Sequence, residues 1–282
     1  MRRLMLALCL FGCAPHAGAG EFDVPALRGS SPFIPAAPKY ARWAGVYGGG
    51  WGGYHSTNMN FSGATESLIA YLLRTTALEG EQRPSEWGVL GKASVSGSST
   101  GIFVGYNTQW DDAVVSLELN YNRGAFFANA PVAPITRVVS AGGNAYLLNL
   151  TGDASMRITD FGSARVRAGW VAGNFLPYGT LGIAVGRADV ARSAQVDGVE
   201  NPPAGYPGVL CSSAPNCTEF NFTASESKKS AFLYGWSAGV GMDILVMPNL
   251  FLRTEYEMIN FSRYQGITAT IQSVRFGAGL KF

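Results

Sequence analysis

Apolar residues in this chain recur at every second position. From Phe232 to Val246 one face carries Phe232, Tyr234, Trp236, Ala238, Val240, Met242, Ile244 and Val246, and the other carries Gly235, Ser237, Gly239, Gly241 and Asp243. The same alternation sets Val115, Leu117, Leu119 and Tyr121 against Ser116, Glu118 and Asn120. At the C-terminus it sets Val274, Phe276, Ala278, Leu280 and Phe282 against Ser273, Arg275, Gly277, Gly279 and Lys281. Successive side chains of a strand point to opposite faces, so period two predicts β-strands. Eight such runs follow residue 41. Turn chemistry at Asp111-Asp112, Gly173-Asn174 and Met247-Pro248-Asn249 joins them into hairpins. The other connections are long and polar, roughly 62–97, 128–152 and 191–228, with a shorter one near 264–268.

A sandwich would bury the apolar faces and leave large polar side chains outside. Here the face opposite the apolar one is crowded with glycine and serine, as the inside of a narrow barrel requires. Short turns at one end and long loops at the other is the asymmetry of an outer-membrane barrel. The predicted fold is therefore all-β: an eight-stranded antiparallel transmembrane β-barrel of the outer-membrane type over residues 42–282, with long extracellular loops. Trp110, Trp170 and Phe282 fall near the short-turn end, and Phe232, Tyr234 and Trp236 near the long-loop end, as interfacial girdles would.

Composition agrees with this pattern. The chain of 282 residues is 47% hydrophobic and only 14% charged, against roughly 25% charged in soluble domains. It nevertheless lacks the run of about 18 apolar residues that a membrane helix needs. The first residues read as an export signal, 1–19: basic "MRR", apolar "LMLALCLFG", then "HAGA" ending in a small-x-small cleavage site after Ala19. The stretch "LFGC" ending at Cys13 also resembles a lipobox, so lipidation stays open as an alternative to simple cleavage. Residues 20–41, with four prolines, read as a periplasmic lead-in. Losing Arg2 and Arg3 brings the 21 basic residues level with the 19 acidic ones, and a neutral chain has nothing to draw it to nucleic acid. Cys211 and Cys217 lie six residues apart in a polar loop, which in an exported protein predicts a disulfide.

The stretches "TGIFVGYNTQWDDAVVSLELNYN" and "DFGSARVRAGWVAGNFLPYGTLGIAVG" resemble the porin-like outer-membrane surface proteins of alphaproteobacteria, relatives of the OmpA transmembrane domain. The resemblance implies an immunogenic surface barrel inserted by the outer-membrane assembly machinery. Such a barrel is expected to sit among outer-membrane lipid and lipopolysaccharide and to have a structural, envelope-stabilising role. A narrow porin-like diffusion channel is one alternative, and loop-mediated adhesion or binding of a host or haem ligand is another. At the C-terminus Arg275, Gly277, Leu280 and Phe282 have the spacing of the assembly signal.

Candidate chemistry is sparse. Gly48, Gly50 and Gly53 in "WAGVYGGGWGGY" satisfy G-x-G-x-x-G, but no helix start follows, so a dinucleotide loop is excluded. The stretch reads instead as the first barrel strand, with Trp43, Tyr47 and Trp51 turned to lipid and Gly48, Gly50 and Gly52 to the lumen. His55 reads as a surface-loop residue without a role, and its neighbour Ser56 would point the opposite way, so no nucleophile–base pair forms and no enzyme, cofactor or metal site is expected. Inward charges carry more information. Glu118, Arg165, Arg167, Glu255, Glu257 and Arg275 all fall about six residues from the short-turn end. Unpaired charges in so narrow a lumen would be very costly, so they are expected to form one salt-bridged plug.

Overall fold

The computed structural model describes residues 41–201, 211 and 216–282. The expected signal 1–19 with Cys13, and the lead-in up to residue 40, lie outside the described residues. Nine strands follow: β1 Gly45–Asn60, β2 Lys92–Trp110, β3 Ala113–Asn129, β4 Ile135–Ala141, β5 Asn144–Trp170, β6 Phe175–Glu200, β7 Thr218–Met247, β8 Leu250–Tyr264 and β9 Ile267–Lys281. Between β1 and β2 stand two short helices, α1 Glu66–Leu73 and α2 Ala77–Gln82, and a 3-10 turn, Pro84–Trp87.

Eight strands close into a ring of antiparallel neighbours. Beginning at β1 the order is β2, β3, β5, β6, β7, β8 and β9, and β9 returns to β1 with Trp51 opposite Gly277. The expected hairpins are in place: Trp110 pairs with Ala113, and Met247 with Leu250. The outward faces are those the alternation predicts, with Leu117, Leu119, Val240, Phe276 and Leu280 all exposed. Trp110, Trp170 and Phe282 are exposed at one rim and Phe232, Tyr234 and Trp236 at the other.

The long connections differ from expectation. Strands β5, β6 and β7 run 27, 26 and 30 residues, where a bilayer needs about 9–11. Most of segments 128–152 and 191–228 is therefore ladder, not irregular loop. Strand β4 hairpins onto β5 through Gly142 and Gly143, whose φ angles of 58° and 85° suit a mirror-image turn that few other residues tolerate. The physical reason for the extension is a second core beyond the long-loop end of the ring. Leu68, Ile69 and Leu73 of α1 cluster with Leu148 and Leu150 of β5 and with Ala194 and Val196 of β6. Alternating apolar residues beyond the ring find an apolar helix face to cover them, and the ladder continues.

One buried arginine fastens that helix over the barrel mouth. Arg192 of β6 donates to the Ala64 carbonyl at 3.0 Å, to Ser67 Oγ at 2.9 Å and to the Gln265 carbonyl at 3.4 Å, and pairs with Glu226 of β7 at 2.5 Å. It thus joins the start of α1 to the β8–β9 turn. Hydrogen bonds to a charged group contribute about 1.5–3 kcal/mol each, and about 1.4 kcal/mol is tenfold in an opening equilibrium. Arg192→Ala is expected to speed amide hydrogen exchange in α1 by at least about tenfold while the amides of β8 and β9 keep their protection.

Candidate functional site

The site is the lumen, and its floor is apolar. Trp43, just before β1, and Tyr47 and Trp51 of β1 gather there with Phe103, Val114, Leu176 and Phe251. This reverses the expected facing of β1: Trp43 and Tyr47 are 1% exposed, whereas Val46 is 49% exposed. Gly48, Gly50 and Gly52 therefore meet lipid. Inward Gly49 leaves room for Phe103, whose ring would lie 2.7 Å from a Cβ at that position. Hydrophobicity alone favours lipid for these aromatics. The inside wins because the rings pack on one another, with Tyr47 and Phe251 centroids 6.1 Å apart, and on the guanidinium groups above them.

Above this floor lies the charge layer. Glu118 of β3 is its hub, accepting from Tyr47 Oη at 2.8 Å, Asn120 at 2.8 Å, Arg165 at 2.5 Å, Arg167 at 2.9 Å and Arg253 at 2.7 Å. Arg165 also reaches Glu255 at 2.6 Å and Glu257 at 2.8 Å. Arg167 pairs with Asp243 at 2.7 Å, and Arg253 holds the same carboxylate by a fork at 2.8 and 3.0 Å. Arg275 pairs with Glu257 and lies 3.5 Å from Glu255. Four arginines thus meet four carboxylates, all of them buried. Aromatic faces take the remaining surface of the cations: Arg253 lies 4.0 Å from the Phe103 centroid, Arg167 3.8 Å from Tyr178 and Arg275 4.3 Å from Trp51.

All six expected inward charges, Glu118, Arg165, Arg167, Glu255, Glu257 and Arg275, stand in this one network. Sequence reasoning missed Asp243 and Arg253, which occupy the next inward positions toward the short turns of β7 and β8 and complete the balance. The alternation Arg253, Glu255, Glu257 carried that signal, but matching residues by depth stopped one step short. Tyr47 was missed because a ring with a hydroxyl reads as a lipid-facing residue, and Tyr178 was not among the inward residues expected. Tyr178 in fact donates to Glu255 at 2.9 Å.

Higher in the lumen the walls turn polar and then apolar again. His55 stands here, buried in β1 with its ring 4.1 Å from Phe126, and not on a surface loop as expected. Its two nitrogens have no hydrogen-bond partner among the described residues. The outer closure is an apolar cluster that includes Phe126, Phe161, Phe261, Ile259 and Ile271, with Phe61 and Leu90 entering from the α1–α2 segment. Elsewhere, Cys211 and Cys217 form the expected disulfide, with Cα atoms 5.3 Å apart. Of the C-terminal set, Arg275 points inward, Gly277 sits against Trp51, and Leu280 and Phe282 face out. No cluster of three or more metal-ligating side chains occurs among the described residues.

A family model described as the outer membrane protein beta-barrel domain matches residues 29–282. The chain belongs to that family. The outer membrane protein beta-barrel assignment places the ring in the outer membrane, with the aromatic rims at its two interfaces. Among solved structures, the attachment invasion locus protein Ail of Yersinia pestis is similar at 14% identity, over 85% of this chain and 99% of that one, with a TM-score of 0.35. Neisserial surface protein A is similar at 13%, over 84% and 99%, with a TM-score of 0.36. The N-terminal β-barrel domain of Pseudomonas aeruginosa OprF is similar at 12%, over 82% and 97%, with a TM-score of 0.28. No curated protein matches the chain at a significant level.

Two substitutions test the lumen of this outer membrane protein beta-barrel. Removing one partner of a buried charged pair costs about 3–5 kcal/mol. Glu118→Ala leaves three arginines short of an acceptor, so it is expected to lower the urea unfolding midpoint in lipid vesicles further than Arg275→Ala does; equal losses would remove Glu118 from the centre of the network. His55→Leu has the opposite expectation. An imidazole with no partner is replaced by an apolar group, so stability should hold or rise by about 1 kcal/mol.

Proposed function

We propose that this protein is a plugged structural barrel of the outer membrane, which stabilises the envelope and carries a folded platform to the cell exterior. One observation supports the reading above the others: three packed layers cross the lumen. An apolar floor, a balanced charge layer and an apolar outer closure follow one another along the axis. A conducting pore needs a continuous hydrated path, and none of these three storeys offers one. A charge layer without apolar seals would favour a gate that opens by exchanging partners; here exchange would also require the aromatic floor to move.

The other readings are less well supported. His55, the histidine left after the expected cleavage, stacks in the lumen, so the loops offer no imidazole to a haem iron. Among the described residues no nucleophile stands in hydrogen-bond reach of that ring, which argues against hydrolysis. Arg275, Gly277, Leu280 and Phe282 keep their proposed part in recognition by the assembly machinery. Leu280 and Phe282 are the exposed members, available to a partner while the last strand is still unpaired.

Planar-bilayer recording tests the plug. Purified protein, inserted and shown to be folded by its heat-modifiable migration, is expected to give no sustained conductance, and proteoliposomes are expected not to swell in small sugars. Sustained ohmic steps at low voltage would make the protein a channel.

A further inference from the structure

The lipid-facing side of the outer rim is not uniform around the ring. On β3 the outward residues run Ala113, Val115, Leu117, Leu119, Tyr121 and then Arg123. On β5 and β6 the apolar runs end in Asp160 and Arg187, which share a row with Arg123, since Arg123 pairs with Asp160 and Asp160 with Arg187. On β7 the run ends after Phe232, with Lys229 above it. The other four strands end their apolar runs in neutral side chains, at Asn260 on β8, Gln272 on β9, Ser56 on β1 and Thr100 on β2. Half of the rim is charged, and half is not.

The charged half stands at headgroup depth. Arg123 is ten residues beyond Ala113, which pairs with the girdle residue Trp170. At about 3.3 Å per residue and a tilt of about 40°, that is ~25 Å, the height of the apolar band of an outer-membrane barrel. The cations are also arranged. Asp160 grips Arg187 through Nε at 2.9 Å and through Nη2, and Arg157, one row higher, lies 4.8 Å from the Phe127 ring centroid. The neighbouring Asp189 is held by the Ser230 amide at 2.8 Å. Arg123, Arg157, Arg187 and Lys229 thus outnumber the two carboxylates among them, Asp160 and Asp189.

We propose that this arc, from β3 to β7, is a docking surface for the phosphorylated headgroup of an outer-leaflet glycolipid. Guanidinium forks match phosphate oxygens, and two aromatic residues, Tyr121 below Arg123 and Phe232 opposite Arg187, mark the start of the acyl chains. A soluble protein partner would leave the lipid-facing orientation of these cations unexplained. The proposal rests on the outer-membrane placement of the barrel and adds an orientation to it: one side of the protein recruits anionic lipid and the other does not.

The test is a titration of the folded full chain in neutral detergent with a bis-phosphorylated diglucosamine lipid and with its dephosphorylated form. The triple variant Arg123→Gln, Arg187→Gln, Lys229→Gln is expected to bind the phosphorylated lipid about a hundredfold more weakly. Lys92→Gln, outside the arc, should bind as the unaltered chain does, and the dephosphorylated lipid should bind no better to the unaltered chain than to the triple variant. Should the triple variant fail to fold, Arg157→Gln and Lys229→Gln, which break no ion pair among the described residues, carry the same comparison with smaller losses. Equal affinity for the two lipids, or for the variant and the unaltered chain, would overturn the proposal. So would displacement of the lipid by millimolar inorganic phosphate, which would make the arc a site for soluble anions. Loss of heat-modifiable migration in the unaltered chain would instead strike the barrel itself.

Discussion

The charge balance around Glu118 constrains the rest of the molecule. Eight strands leave a lumen only wide enough for side chains, and into it the sequence sends four arginines and four carboxylates. In so little water each must find its opposite or its desolvation is uncompensated. The donors and acceptors come from β3, β5, β7, β8 and β9, so the network can be complete only when the ring is closed in one register. A slip of one residue between any two of these strands would turn a charge toward lipid. The same ion pairs that fill the lumen therefore select the closure.

Small residues follow from that filling. Gly235, Gly239 and Gly241 on the inner face of β7 and Gly49 and Gly53 on β1 face the bulk contributed by their neighbours, such as Tyr178 against Gly241 and Phe103 against Gly49. Inward glycines and inward large residues are complementary parts of one packing problem. The apolar clusters above and below the charges belong to it as well. They exclude water from the ion pairs, which strengthens each pair and raises the cost of breaking it.

Outside the membrane a different physics applies. Strands β5, β6 and β7 continue because α1 gives their alternating apolar residues something to bury against. Without that helix the extended ladder would expose Leu148, Leu150, Ala194 and Val196 to water. Arg192 ties the helix to the β8–β9 turn, and Phe61 and Leu90 carry the same segment down into the outer closure of the lumen. The extracellular platform and the seal of the barrel are one structure, and a change in either is felt by the other.

The sequence by itself determined the period, the hairpins, the number of strands in the ring and the lipid-facing side of most of them, because these depend on residues near one another along the chain. It also placed Glu118, Arg165, Arg167, Glu255, Glu257 and Arg275 at one depth, since depth can be counted from a turn. It did not determine the facing of β1. Trp43, Tyr47 and Trp51 are equally at home in lipid and in an aromatic floor, and only pairing with β9, which sets Trp51 beside Arg275, decides between them. For the same reason His55 passed for a loop residue, Asp243 and Arg253 were not counted in, and the folded platform was read as loop. Each depends on what lies across the ring or above the membrane, and such contacts exist only once distant strands have met.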